Sequence, residues 1–170
     1  MSAPDQSSNA RPLFLARFRQ CGFTCRHTEH WGLFLARSWD QCAEGTLFHV
    51  VYSGNPTVSA SVHAVTGSYS HGYFNVPKFH PNTSGQLTGL SSIITAAQGG
   101  ISASTLHQVS QAIDAQFPYN IANNNCQNFV IRVLQELHKQ GKVTTEALSS
   151  VAGRVGGTVF TPPAGNWATA

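Results

Sequence analysis

The chain has 170 residues, a formal net charge of +3 and only 10% charged side chains, against the ~25% usual in soluble domains. That length holds one ordinary domain with a single good core and is too short for two. Without a run of Lys or Arg the charge argues against a phosphate-tracking nucleic-acid surface, and no apolar run is long enough to cross a bilayer.

The polar surface has to come from Ser, Thr, Asn, Gln and Gly. Such a surface repels like molecules weakly, which leaves a homo-oligomer open. Residues 1–11 read as a flexible tail, polar and without the apolar core of a signal peptide, and residues 12–170 read as one domain. Nothing at Ala168-Thr169-Ala170 resembles a lipidation signal. Cys21, Cys25, Cys42 and Cys126 are spaced like reduced thiols and not like a disulfide framework. The location these features suggest is cytoplasmic.

In chain order, Pro12 to Arg19 alternates imperfectly and suggests a short strand or edge segment. His30 to Ala36 (HWGLFLA) is apolar and aromatic. Thr46 to Tyr52 (TLFHVVY) is β-branched and aromatic, bounded by Gly45 and by Ser53-Gly54-Asn55-Pro56. Both read as strands, and Ser38 to Gly45 between them suits a hairpin connection. Strand alternation puts His30 on a face with Gly32 and Phe34, and His49 on a face with Leu47 and Val51. Val58 to Val65 reads as a further strand, with weaker strand signals at Tyr73 to Phe79 and Leu87 to Ile94.

Helices follow. Ser104 is the expected N-cap of a helix with Leu106, Val109 and Ile113 on one stripe, ending near Phe117-Pro118. Asn123-Asn124-Asn125 offers capping chemistry before a stronger helix, where Phe129, Val130, Val133, Leu134 and Leu137 share a face and Gly141 marks the stop. A shorter helix is expected from Thr145 to Val151. Strands first and helices last, without βαβ alternation, predict an α+β fold with an antiparallel sheet.

The chemistry concentrates at Cys126. A cysteine where a helix begins feels the positive end of the helix dipole and is favoured as a thiolate. A nearby imidazole lowers the thiol pKa and returns the proton to a leaving group, and a third polar group fixes that imidazole's tautomer. His30 suits the first of these roles and His49 the second, with Asp40 or Glu44 as alternative orienting groups. Cys21, Cys25, His27 and His30 form a competing constellation that invites zinc. Their spacing matches no common finger pattern, and His30 cannot both ligate a metal and act as base, so no metal is expected. His63, His71, His80, His107 and His138 read as surface or half-buried residues. His138 suits the dipole at the end of its helix.

Three segments, His30-Trp31-Gly32-Leu33-Phe34-Leu35, Leu47-Phe48-His49-Val50 and Asn125-Cys126-Gln127-Asn128-Phe129-Val130, resemble the motifs of the lecithin:retinol acyltransferase-like family. The family belongs with permuted papain-like thiol enzymes, among them phospholipid acyltransferases, cell-wall amidases and desumoylating peptidases. The Cys motif is also similar to that of uncharacterised fungal proteins of this length. The likeness spans roughly residues 28 to 140 but is carried by some twenty positions. It implies a permuted papain-like fold in which an antiparallel sheet packs against the helix carrying the nucleophile. Cys126 corresponds to that nucleophile, His30 to the base and His49 to the orienting residue. Asn125, Gln127 and Trp31 are the expected oxyanion or substrate-binding positions.

The activity implied is cysteine-dependent acyl transfer, as a hydrolase or acyltransferase. It proceeds through an acyl-thioester on Cys126, with no cofactor, on a small-molecule acyl donor or a neutral peptide. The absence of a hydrophobic C-terminal anchor points away from a lipid substrate. The alternatives are an isopeptidase for ubiquitin-like tails and a non-catalytic binding protein that retains the fold.

Overall fold

The computed structural model describes residues 10–18, 29–39, 42–53, 70–84, 87–117 and 125–155. Among these the fold is α+β. Five strands, β1 (Leu13–Phe18), β2 (His30–Ala36), β3 (Gly45–Ser53), β4 (Ser70–Phe79) and β5 (Leu87–Ile94), are followed by three helices, α1 (Ala103–Gln116), α2 (Cys126–Lys139) and α3 (Thr145–Ala152). The expected strand at Val58 to Val65 lies outside the described residues. No helix among them is long and apolar enough to cross a membrane.

The strands form one antiparallel sheet in the order β4-β3-β2-β1-β5. The segment expected as a short strand or edge, β1, is interior, paired with β2 on one side and β5 on the other. Its blurred alternation has a physical reason: both of its faces are buried. Leu13 and Leu15 join the helix-side core, whereas Ala16, Phe18 and the partly buried Phe14 face the other way. A strand covered on both sides needs no polar face.

The sheet therefore divides two apolar clusters. On one face Trp31, Leu33 and Leu35 of β2 and Phe48 and Val50 of β3 pack with Leu106, Val109 and Ile113 of α1, with Cys126, Phe129, Val130, Val133, Leu134 and Leu137 of α2, and with Leu148 and Val151 of α3. Each large aliphatic or aromatic side chain buried there contributes about 1.5–3 kcal/mol relative to exposure. Arg132 of α2 lies over the Phe117 ring at the end of α1, 3.9 Å from its centroid. On the opposite face are Ala16, Phe18, Phe34, Ala36 and Leu47, with Phe79 packed against them. A flat sheet would set β1 and β4 about 14 Å apart. The Phe18 and Phe79 rings nevertheless meet at 5.9 Å and Phe34 and Phe79 at 5.8 Å, so the sheet curls around this second cluster.

The helix boundaries follow their caps. α1 is capped by Ser102, two residues before the expected Ser104, because Ser102 Oγ accepts the Thr105 N–H at 3.1 Å. Ser104 is already inside the first turn, with its hydroxyl 2.9 Å from that of Ser102. α2 stops as expected at Gly141, whose φ of +69° suits a residue without Cβ. Its N–H donates to His138 O, and that of Lys142 to Leu137 O, both at 2.8 Å. Arg11, expected in the tail, is instead bridged in both directions to Ile101 at 3.0 Å.

Gly45 opens β3 where β2 runs closest. A Cβ there would run into Leu35 O and lie 2.6 Å from the Phe34 ring and 2.8 Å from Ala36 Cα. Two of those neighbours are backbone and cannot swing aside. Gly45→Ala should therefore destabilise the fold by roughly 2–3 kcal/mol. Urea denaturation checks this, and an unchanged midpoint would refute the close packing of β2 on β3.

Candidate active site

Cys126 begins α2 because Asn125 breaks and caps the chain just before it. Asn125 is extended (φ −92°, ψ −172°), and its Oδ1 accepts the N–H groups of Gln127 at 2.9 Å and Asn128 at 3.2 Å. Asn128 Oδ1 in turn accepts the Asn125 N–H at 3.2 Å, completing a capping box with amides in place of the usual hydroxyl and carboxylate. A cap of this kind is worth about 1 kcal/mol. Cys126 is 7% exposed and sits at the positive end of the helix dipole.

The first turn of α2 is fastened to the sheet. Gln127 Nε2 donates to the carbonyl of Glu29 at 3.0 Å, and Glu29 immediately precedes His30. Glu29 uses its side chain as well. Oε2 accepts the Trp31 indole N–H at 3.4 Å and lies 3.6 Å from Arg17 Nη1, while Oε1 accepts the Thr88 hydroxyl at 3.3 Å. Trp31 itself is wholly buried. Of the three expected oxyanion or substrate-binding residues, Asn125 thus caps the helix, Gln127 ties it to β2, and Trp31 fills the core between them.

The structure brings the two histidines together. His30 Nε2 and His49 Nδ1 are 3.0 Å apart, with ring centroids at 5.3 Å in an edge-to-face arrangement of 66°. One ring must donate and the other accept, so at most one of these two nitrogens carries a proton. The ring of Phe18 flanks His30 at 5.9 Å. Burial lowers the pKa of both histidines from 6.5 to about 4, and the neighbouring His49 adds to the effect at His30. Both are therefore neutral at pH 7.

The placement of Cys126 relative to that pair is less direct. Cys126 packs in the cluster that contains Trp31, Leu33 and Phe48. Alternation and the Phe18 contact put His30 and His49 on the other face of the sheet, with Phe34 and Leu47. What brings the helix start near them is the end of the strand. The β2–β3 ladder runs from Ala36–Gly45 to Leu33–Phe48 and stops there, so His30, Trp31 and Gly32 stand beyond the paired part of the seam.

The alternative orienting groups separate. Glu44 pairs with Arg37 at 3.7 Å, past the far end of β2, roughly 20 Å along the strand from His30. Asp40 lies outside the described residues, as do Cys21, Cys25 and His27 of the zinc constellation and His63. Among the described residues no three His, Cys, Asp or Glu side chains group as metal ligands. His80 is exposed and His107 half-buried. His138 does more than complement a dipole, since its Nδ1 lies 2.8 Å from Val143 O and clips the α2–α3 turn. Two residues at the site were passed over in the sequence: Glu29, which gives no local signal, and Gly32, whose signal was a glycine inside a strand.

No protein-family model, no curated protein and no solved structure matches the chain. The family resemblance rests on the motif residues alone.

Two outcomes follow from this geometry. Gln127→Ala removes the tie between α2 and β2 and should cost about 1 kcal/mol. Urea unfolding measures it, and a cost near zero would mean that packing alone seats the helix. The histidine pair sets a pH dependence. Unfolded histidines take up protons near pH 6.5, whereas the folded pair resists to about 4. Between those values the unfolded chain binds more protons, so stability should be flat above pH 6.5 and fall as the pH drops toward 4. In His49→Gln the slope of unfolding free energy against pH in that window should be about half as steep. An unchanged slope would show that other groups cause the acid sensitivity.

Proposed function

We propose that the chain is a cysteine-dependent acyl-transfer enzyme, with Cys126 as nucleophile, His30 as base and His49 as the group that orients His30, in a permuted papain-like arrangement. One observation carries this reading. The turn that starts with Cys126 is hydrogen-bonded to the residue before His30, and the His30 ring is held from its Nε2 side by His49. The resemblance of the three motifs supports the same assignment.

Because Nε2 of His30 is engaged by His49, Nδ1 is the nitrogen left to serve a thiol. The productive tautomer has His30 Nε2–H donating to His49 Nδ1, which leaves Nδ1 of His30 bare. The Cys126 thiol gives its proton to that nitrogen as sulfur attacks the carbonyl carbon of an ester, thioester or amide. The C=O π pair moves to oxygen, facing the backbone N–H of Cys126 at the start of α2. As the C=O re-forms, the bond to the alkoxide, thiolate or amine breaks, and the leaving group takes the proton from His30. An acyl-thioester remains on Cys126. Water or an amine then attacks it, losing a proton to His30, and the thiolate leaves and is reprotonated. The sparsely charged polar chain suits a small-molecule acyl donor or a neutral peptide.

A non-catalytic binding protein with the same fold is favoured by a different observation, the packing of Cys126 and the histidine rings on opposite faces of β2. Catalysis requires the thiol to reach Nδ1 around the start of that strand.

Acyl-thioester and aryl-ester hydrolysis separates the two readings. Cys126→Ala and His30→Ala should each abolish turnover, a loss of the order of 10²–10⁴-fold for the base. His49→Ala should retain part of the activity, and His30→Ala/His49→Ala should be no worse than His30→Ala, since residues acting as a unit are not additive. Glu44→Ala should match wild type. Thiol labelling provides an independent check. Cys42 is the more exposed of the two described cysteines, so faster alkylation of Cys126 by iodoacetamide at mildly acidic pH would report activation and not access. Slower labelling of Cys126 together with inert wild-type protein would establish the binding-protein reading.

A further inference from the structure

Gly32 stands where the pairing of β2 with β3 ends. Continuing the Leu33–Phe48 register by one residue sets it opposite His49, and alternation puts it on the face that carries His30. His30 is then the diagonal neighbour of His49, a relation that normally leaves about 7–8 Å between the residues. The two rings close that distance to a 3.0 Å nitrogen–nitrogen contact over a position with no side chain. A Cβ on Gly32 would lie 3.2 Å from His49 Cβ, 3.2 Å from Phe48 O and 2.9 Å from Leu47 Cδ1. The Leu47 methyl is the tip of a flexible side chain and can rotate away. His49 Cβ and Phe48 O belong to the β3 backbone or are fixed to it, so they yield only if β3 itself moves by a few tenths of an ångström. The His49 ring moves with it.

We propose that Gly32 is a positioning residue: by presenting no side chain where β3 runs close past the end of its pairing with β2, it lets the His49 ring stand against His30 Nε2. Only the kinetic consequence rests on the acyl-transfer reading. A lengthened His30–His49 contact no longer fixes the tautomer that exposes Nδ1, so the defect falls on the chemical step and not on substrate binding.

The test uses ¹⁵N-labelled full-length protein. In wild type, the ring nitrogens of His30 and His49 should show a scalar coupling across the N–H···N bond. Gly32→Ala should lose that coupling and, on an acyl-thioester substrate, lower kcat roughly 10- to 100-fold with KM nearly unchanged. Leu47→Val, which removes the Cδ1 contact, should keep the coupling and serves as the packing control. Gly32→Ala/Leu47→Val should still lack it, because the His49 Cβ contact remains. Return of the coupling in the double variant would overturn the proposal, as would its persistence in Gly32→Ala or its absence from wild type. Failure of both Gly32 variants to fold would also overturn it, since a Cβ that only displaces His49 leaves the rest of the sheet intact. Should wild type show the coupling, Gly32→Ala lose it, and neither protein turn over substrate, the positioning role stands and the acyl-transfer reading falls.

Discussion

One hydrogen bond joins the two halves of the site across 98 positions of sequence, from Gln127 Nε2 to the Glu29 carbonyl. It reaches from the first turn of α2 to the residue that precedes β2. The bond is modest in energy, but it acts where both elements begin, so it fixes the register of one end against the other. The rest of the arrangement depends on that alignment. Asn125 determines which residue opens α2, and the bond from Gln127 ties that first turn to Glu29, the residue before His30.

The sheet imposes the opposing constraint. Because side chains alternate across a strand, Trp31 and His30 cannot share a face. Trp31, wholly buried among the helices, settles which face β2 turns to α2, and His30 is thereby committed to the curled side with Phe18. This is why the end of the β2–β3 ladder matters. Within a paired sheet the two faces are separated by a continuous hydrogen-bonded layer of backbone, whereas the β2–β3 ladder ends at Leu33–Phe48. The proposed thiol chemistry would have to pass around that end of the β2–β3 pairing.

The strands β2 and β3 were legible because their apolar runs are bounded by turn residues, and α2 because its apolar period is strict and ends at Gly141. The start of α2 was legible from the run of asparagines. Other features lay beyond local pattern. The interior position of β1 was hidden because a doubly buried strand looks like an irregular one. The α1 cap was misplaced because Ser102 and Ser104 offer the same hydroxyl, and only the distance to the Thr105 N–H separates them. His30 and His49 could be assigned to faces from alternation, but their ring contact depends on the register of β2 against β3. That register decides which residue faces Gly32. The separation of Cys126 from the ring pair followed from the same alternation once Trp31 was known to face the helices, and the sequence carried no measure of that burial.

The choice of a histidine as the partner of His30 has an electrostatic consequence. A carboxylate in that place would stabilise the imidazolium and raise the pKa of the base. The nearest carboxylate in sequence, Glu29, is instead directed to Arg17, Trp31 and Thr88. His49 can accept or donate one hydrogen bond but brings no negative charge, and burial leaves both rings with pKa values of about 4. His30 is therefore fixed in geometry while remaining a weak base at rest. In a thiol mechanism the charge that favours its protonated form has to come from the thiolate itself, at the positive end of α2. In the proposed mechanism, proton transfer and sulfur nucleophilicity would then be coupled through the geometry at the start of β2, with His49 contributing direction and no negative charge.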